Sequence, residues 1–108
     1  MKYQSLRKKK EIEELFKTGR GKKSGFLLLK FMPRADGETK VAVIVSKKIS
    51  KLAVVRNRNK RKIRAALQMT EFKAGFSYAV IVLQDIGEVS QQEVEKDVAM
   101  LMAAKRKF

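Results

Sequence analysis

Read for the spacing of its apolar positions, the chain divides into three helical and three strand-like stretches. Leu6, Ile12, Leu15 and Phe16 recur at helical spacing, which predicts a helix over residues 5–18 that stops at Gly19. Residues 19–25 (GRGKKSG) then read as a flexible basic loop. Its glycines lack the spacing of a phosphate-cradling loop and no predicted strand precedes them. Residues 26–32 (FLLLKFM) and 40–46 (KVAVIVS) are predicted strands joined as a hairpin, with Asp36-Gly37 at the tip of the turn. The first of them is apolar on both faces except at Lys30, which predicts a strand covered on one side and lying in a groove on the other. A helix follows over residues 56–70, and a β-branched strand over 77–83. A last helix opens at Ser90, whose spacing to Glu93 makes a capping box. Val94, Val98, Leu101 and Met102 form its apolar stripe, and Met100 and Met102 read as core filler. The expectation is one α+β domain over residues 1–108, in the order α-β-β-α-β-α.

Composition adds what the pattern cannot. The 108 residues carry 26 Lys and Arg against 11 Asp and Glu, a net charge of +15. Residues 1–64 hold 21 basic and 5 acidic side chains, so the whole surplus lies in the first three-fifths of the chain. A field so one-sided attracts polyanions. No run approaches 18 apolar residues, and no basic helix carries Trp or Phe anchors, so neither a membrane span nor a membrane surface is expected. The start of the chain lacks the apolar core of an export signal, which points to a cytoplasmic protein. With no Cys and no His there is no thiol nucleophile, no zinc cluster and no His-dependent triad. The carboxylates are scattered in sequence, so the chain alone is expected to have no nuclease activity and no metal site.

The informative stretch is Arg56-Asn57-Arg58-Asn59-Lys60-Arg61-Lys62-Ile63-Arg64, in which six of nine residues are cationic and none is acidic. In a helical frame Ile63, Ala66, Leu67 and Thr70 share one face, while Arg58, Arg61, Arg64 and Asn57 project from the other and Lys60 lies at the edge. Five like-charge neighbours, at ~0.2–0.5 kcal/mol each, cost this helix about 1–2.5 kcal/mol. Cations at a helix N-terminus also oppose the macrodipole. A polyphosphate relieves both: arginines grip phosphate through a fork, lysines supply point charges, and Asn57 adds hydrogen bonds. A DNA-binding helix-turn-helix would need a helix, not two strands, ahead of the basic helix.

With SKKI at residues 46–49 placed before this stretch, the chain resembles the bacterial ribonuclease P protein subunits, a family marked by an Arg-Asn-x-x-Lys-Arg-x-x-Arg helix. Leu6-Arg7-Lys8, the helix through Phe16 to Gly19, and the closing strand and helix fall in the family's order, so the resemblance covers nearly the whole chain. It implies an α/β sandwich with a left-handed βαβ crossover, against the usual handedness rule. It also implies a ribonucleoprotein in which the RNA subunit is the catalyst and holds most of the Mg²⁺. In that assembly the protein assists endonucleolytic removal of the 5′ leader from precursor tRNA. Arg56, Asn57, Arg58, Lys60, Arg61 and Arg64, with Lys47 and Lys48 ahead of them, match the positions that contact the catalytic RNA. A cleft between the basic helix and the sheet is expected to hold the leader, with Phe16, Ile12 and Leu29 at its matching positions. Ile12 and Leu29 stand where relatives often carry aromatics, Asn59 and Lys62 where they carry aliphatics, and Gln84-Asp85 where a basic residue is common. The competing expectation, sharing size, charge and fold class, is an RNA-binding protein of the ribosome or its assembly.

Overall fold

The structure, a computed structural model, describes residues 3–104. Five strands and three helices follow one another as β1 (Gln4–Ser5), α1 (Lys9–Thr18), β2 (Arg20–Lys23), β3 (Leu27–Pro33), β4 (Lys40–Ile44), α2 (Ala53–Gln68), β5 (Phe76–Val82) and α3 (Gln91–Ala104). The α+β class is as expected. Several local features differ from the reading of the sequence.

The strands form a single sheet in the order β1-β4-β5-β3-β2. β3 and β4 therefore do not pair as a hairpin: β5 lies between them, antiparallel to β3 and parallel to β4. The turn at Asp36-Gly37 exists, with Gly37 at φ 74°, but its arms stand two strand spacings apart, about 9.6 Å. β5 takes the centre because it is the strand best suited to burial on both faces, with Tyr78, Ala79 and Val80 all at most 1% exposed. The parallel neighbours β4 and β5 are connected through α2.

The basic loop is in fact strand β2, which pairs antiparallel with β3 from Arg20↔Phe31 to Lys23↔Leu28. The first helix begins at Lys9, because Gln4 and Ser5 extend alongside β4 and bond its backbone, Gln4 N–H to Thr39 O at 3.0 Å and Leu6 N–H to Val41 O at 2.9 Å. Gly19 ends α1 as expected, but in extended backbone (φ −70°). Glycine is required there for space: a Cβ would stand 2.4 Å from the Leu15 carbonyl oxygen.

Side-chain alternation along the strands divides the interior in two. Leu27, Leu29, Phe31, Val41, Tyr78, Val80 and Val82 face α2 and α3, meeting Ile63, Ala66 and Leu67 of the one and Val94, Val98, Leu101 and Met102 of the other. Ala42 and Ala79 face α1 with Leu6 and Leu15, and Ile12, Met32, Ile44 and Ile81 border that smaller cluster. Ser90 Oγ accepts from the Glu93 N–H at 3.2 Å and caps α3. Met102 is buried as expected, whereas Met100 is 62% exposed on the solvent side of the helix and is not core filler.

Candidate nucleic-acid interface

Helix α2 begins at Ala53, one turn earlier than the charge pattern suggests. Ala53-Val54-Val55 thus occupy most of the first turn, and the cations from Arg58 onward sit beyond it, where the macrodipole's opposition has faded. The expected apolar face holds: Ile63, Ala66 and Leu67 are fully buried and Thr70 nearly so. Opposite them Asn57, Arg61 and Arg64 form an exposed ridge, with Val54 and Gln68 at its ends. The turn ahead of the helix carries exposed Lys47, Lys48 and Lys51, extending the cationic surface. No carboxylate lies anywhere in α2. Lys60 is half-buried, and Arg56, also half-buried, donates to the Ser50 carbonyl at 2.9 Å. Arg58 is not part of the open ridge; it is half-buried against the loop that follows β5.

That loop explains the two polar residues at positions expected to be aliphatic. Asn59 is 0% exposed, and its amide is fully engaged. Nδ2 donates to the Val55 carbonyl and to Asp85 Oδ1, both at 2.9 Å, and Oδ1 accepts from the Ile86 N–H at 2.7 Å. Lys62 Nζ donates to the Val89 carbonyl, and Gln91 Nε2 donates to the Lys62 carbonyl at 3.0 Å. The basic helix is therefore locked in register to the β5–α3 loop by buried hydrogen bonds, each expensive to leave unmade. The Asn59 amide and the Gly87 N–H hold the Asp85 carboxyl below the usual carboxylate range, with Arg58 and Lys62 adding to the effect. Sequence reasoning missed Asp85, which lies 26 residues from Asn59; its one trace was its departure from the family pattern.

Of the positions assigned to a leader cleft, Ile12 lies at an open groove. Ile63, Ala66 and Leu67 of α2 pack against the sheet in the larger core. Leu29 points into that core with 0% exposure, so it lines no cleft. A groove of about 430 Å³ lies instead at the open edge of the sheet, floored by Val41–Ile44 of β4 and bordered by Ile12 of α1. Arg7 and Arg64 rim it, so the exposed ridge of α2 runs into its mouth. Phe16, 42% exposed on α1, is outside this groove. Tyr3 lines it as a neutral phenol, its pKa pushed up by burial against the opposing influence of Arg64. Arg7 and Ser5 were the other residues missed; the basic run from Arg7 to Lys10 was the available signal.

A second hollow, about 280 Å³, is walled by Glu11, Glu14 and Asp36 and is electrostatically wrong for a polyanion. Among the described residues no three carboxylates, Cys or His gather where they could hold a metal ion, and no helix is long and apolar enough to cross a membrane.

The family model of Ribonuclease P matches residues 1–106. The chain belongs to the ribonuclease P protein family. A ribonuclease P protein component from Pseudanabaena sp. (strain PCC 6903) is 31% identical over 101 residues, covering 91% of this chain and 87% of the relative. That of Geobacillus kaustophilus (strain HTA426) is 35% identical over 96 residues, covering 86% and 78%. The solved ribonuclease P proteins of Thermotoga maritima and Staphylococcus aureus superpose with TM-scores of 0.82 and 0.81 at 20% and 17% identity. They cover 94% of this chain each, and 96% and 94% of their own lengths. The fold described above is thus shared with these ribonuclease P proteins.

Proposed function

We propose that this chain is the protein subunit of a ribonuclease P ribonucleoprotein, binding the catalytic RNA through α2 and the 5′ leader of precursor tRNA in the groove beside it. One observation carries the reading. A helix with six cations in nine residues and no acid of its own presents Asn57, Arg61 and Arg64 as an open ridge that leads into a groove rimmed by Arg64 and Arg7. The ridge suits structured RNA, whose phosphates are fixed in space. The groove, with an apolar floor and cationic rim, suits a single strand whose bases lie down while its phosphates face the arginines. Ile12 offers a base apolar contact without ring stacking.

In this reading the chemistry at the scissile phosphate falls to the RNA and the Mg²⁺ it holds. The protein lowers the divalent-ion demand by neutralising phosphates where RNA and substrate crowd together. Added to a bacterial ribonuclease P RNA and precursor tRNA at low Mg²⁺, the chain should restore cleavage of the leader. Unchanged cleavage would reject the proposal. If about six phosphates are neutralised, log affinity against log salt should fall with a slope of about −4 to −5. A slope shallower than about −2 would remove α2 as the main contact.

A further inference from the structure

Arg58 is held in an unusual way. Its guanidinium lies flat against Gly87, close enough that a Cβ built there would stand 2.5 Å from one terminal nitrogen, 2.7 Å from Nε and 2.9 Å from Cζ. Nε is buried with no hydrogen-bond partner. The side chain as a whole is only half-buried, so part of it reaches solvent. Among the described residues no hydrogen bond fixes the group; shape and the nearby Asp85 carboxylate do. The backbone at Gly87 is not left-handed, unlike Gly37 and Gly75, so any residue could adopt it. What glycine supplies at this position is room.

We propose that Gly87 is a positioning residue for RNA binding, its missing Cβ forming the seat that aims the Arg58 amino groups outward at a phosphate. The inference rests on the RNA-binding reading above and adds a residue to it. The seat is framed by contacts already described. Asp85 Oδ1 accepts from the Gly87 N–H at 2.8 Å and from Asn59, so the loop and the helix that carries Arg58 cannot drift apart. A methyl group at 87 would evict the guanidinium and leave the arginine to swing free in water. An aimed fork loses less freedom on gripping a phosphate than a swinging one, and so binds it more tightly.

The test is a double-mutant cycle. Gly87→Ala, Arg58→Ala, the pair together and Arg61→Ala/Arg64→Ala are titrated against a bacterial ribonuclease P RNA transcript over a salt series, with thermal melts alongside. Gly87→Ala and Arg58→Ala should each weaken binding by about fivefold or more. Each should also flatten the salt slope by about 0.7–0.9. The double variant should bind no worse than Arg58→Ala alone, because the methyl then has no guanidinium to displace. If Gly87→Ala destabilises the fold, the double variant should regain it, and failure to do so would count against the seat. Gly87→Ala binding like the unmodified chain while Arg58→Ala is weakened, or losses that add, would overturn the positioning role and leave the RNA-binding reading standing. Undiminished binding by Arg58→Ala and by Arg61→Ala/Arg64→Ala alike would reject that reading itself.

Discussion

Arg34 joins three segments through one guanidinium. It reaches Glu11 on α1 at 2.7 Å, Ser77 at the start of β5 at 2.9 Å, and Asp36 in the turn through two bonds of 3.0 and 2.7 Å. The fork on Asp36, helped by the Glu38 N–H, lowers that carboxyl's pKa to about 2. An unfolded Asp titrates near ~3.9, so this contribution to stability is complete above that pH and drains away as pH falls toward 2. Denaturant unfolding of the unmodified chain and of Asp36→Asn should therefore differ at pH 5.5 and converge near pH 2. A gap that stayed constant would show that the pair does not stabilise the fold. Asp36 lies two residues from Arg34 in the same turn, but Glu11 and Ser77, 23 and 43 residues away, reach that arginine only through the tertiary fold and were not legible beforehand. Asn59 teaches the same lesson from the other side. In the sequence it is one more polar residue in a polar run, at a position where relatives carry aliphatics, and only the distant Ile86 N–H and Asp85 turn it into a fully bonded core residue.

At the scale of elements, α2 is a helix built against its own comfort. Leu52 occupies its N-cap, 63% exposed and with no side-chain bond to the first turn. Leu52→Ser should stabilise the free protein by about 1 kcal/mol. Leu52→Asp should stabilise at least as much through the helix dipole, yet weaken RNA binding by setting a negative charge beside Lys51 and Arg56. Melts and RNA titrations of the two variants would check this; equal RNA affinity in both would mean that the N-terminal end of α2 stands clear of the phosphates. The helices themselves were largely readable, since Ile63, Ala66 and Leu67, and Val94, Val98 and Leu101, recur with the helical period that buries them. The pairing of strands was not. Two-faced apolar segments such as β3 and β5 carry no pattern that fixes their neighbours, so sheet order was open. Arg20–Lys23 becomes a strand because β3 would otherwise leave a row of backbone groups unpaired, a demand imposed by β3 and invisible in the residues of β2.

For the molecule as a whole, a charge of +15 is packed within a radius of gyration of 13.0 Å. Such a body repels itself, and a multivalent anion that binds the folded surface will stabilise it by mass action. At a concentration 100 times its Kd, tripolyphosphate should add about 2.7 kcal/mol to the unfolding free energy. The melting temperature should rise well beyond that in sodium chloride of equal ionic strength, and matching shifts would mean diffuse screening without phosphate-binding sites. The cationic stretch of α2 announced the candidate site from the sequence, but the groove's position did not follow from it. The opening sits beside β4 because β1 is only two residues long and covers only the start of that strand.

The opposite border of the sheet carries a consequence of its own. β2 pairs with β3 on one flank and lies at the border of the sheet on the other, and Lys22 and Lys23 are exposed on it. A second copy seeking to add a strand there would press ammonium against ammonium along the seam. The side chains that enlarge the attraction for nucleic acid thus also guard this border, and β-sheet growth from one molecule to the next is blocked where the backbone would otherwise invite it.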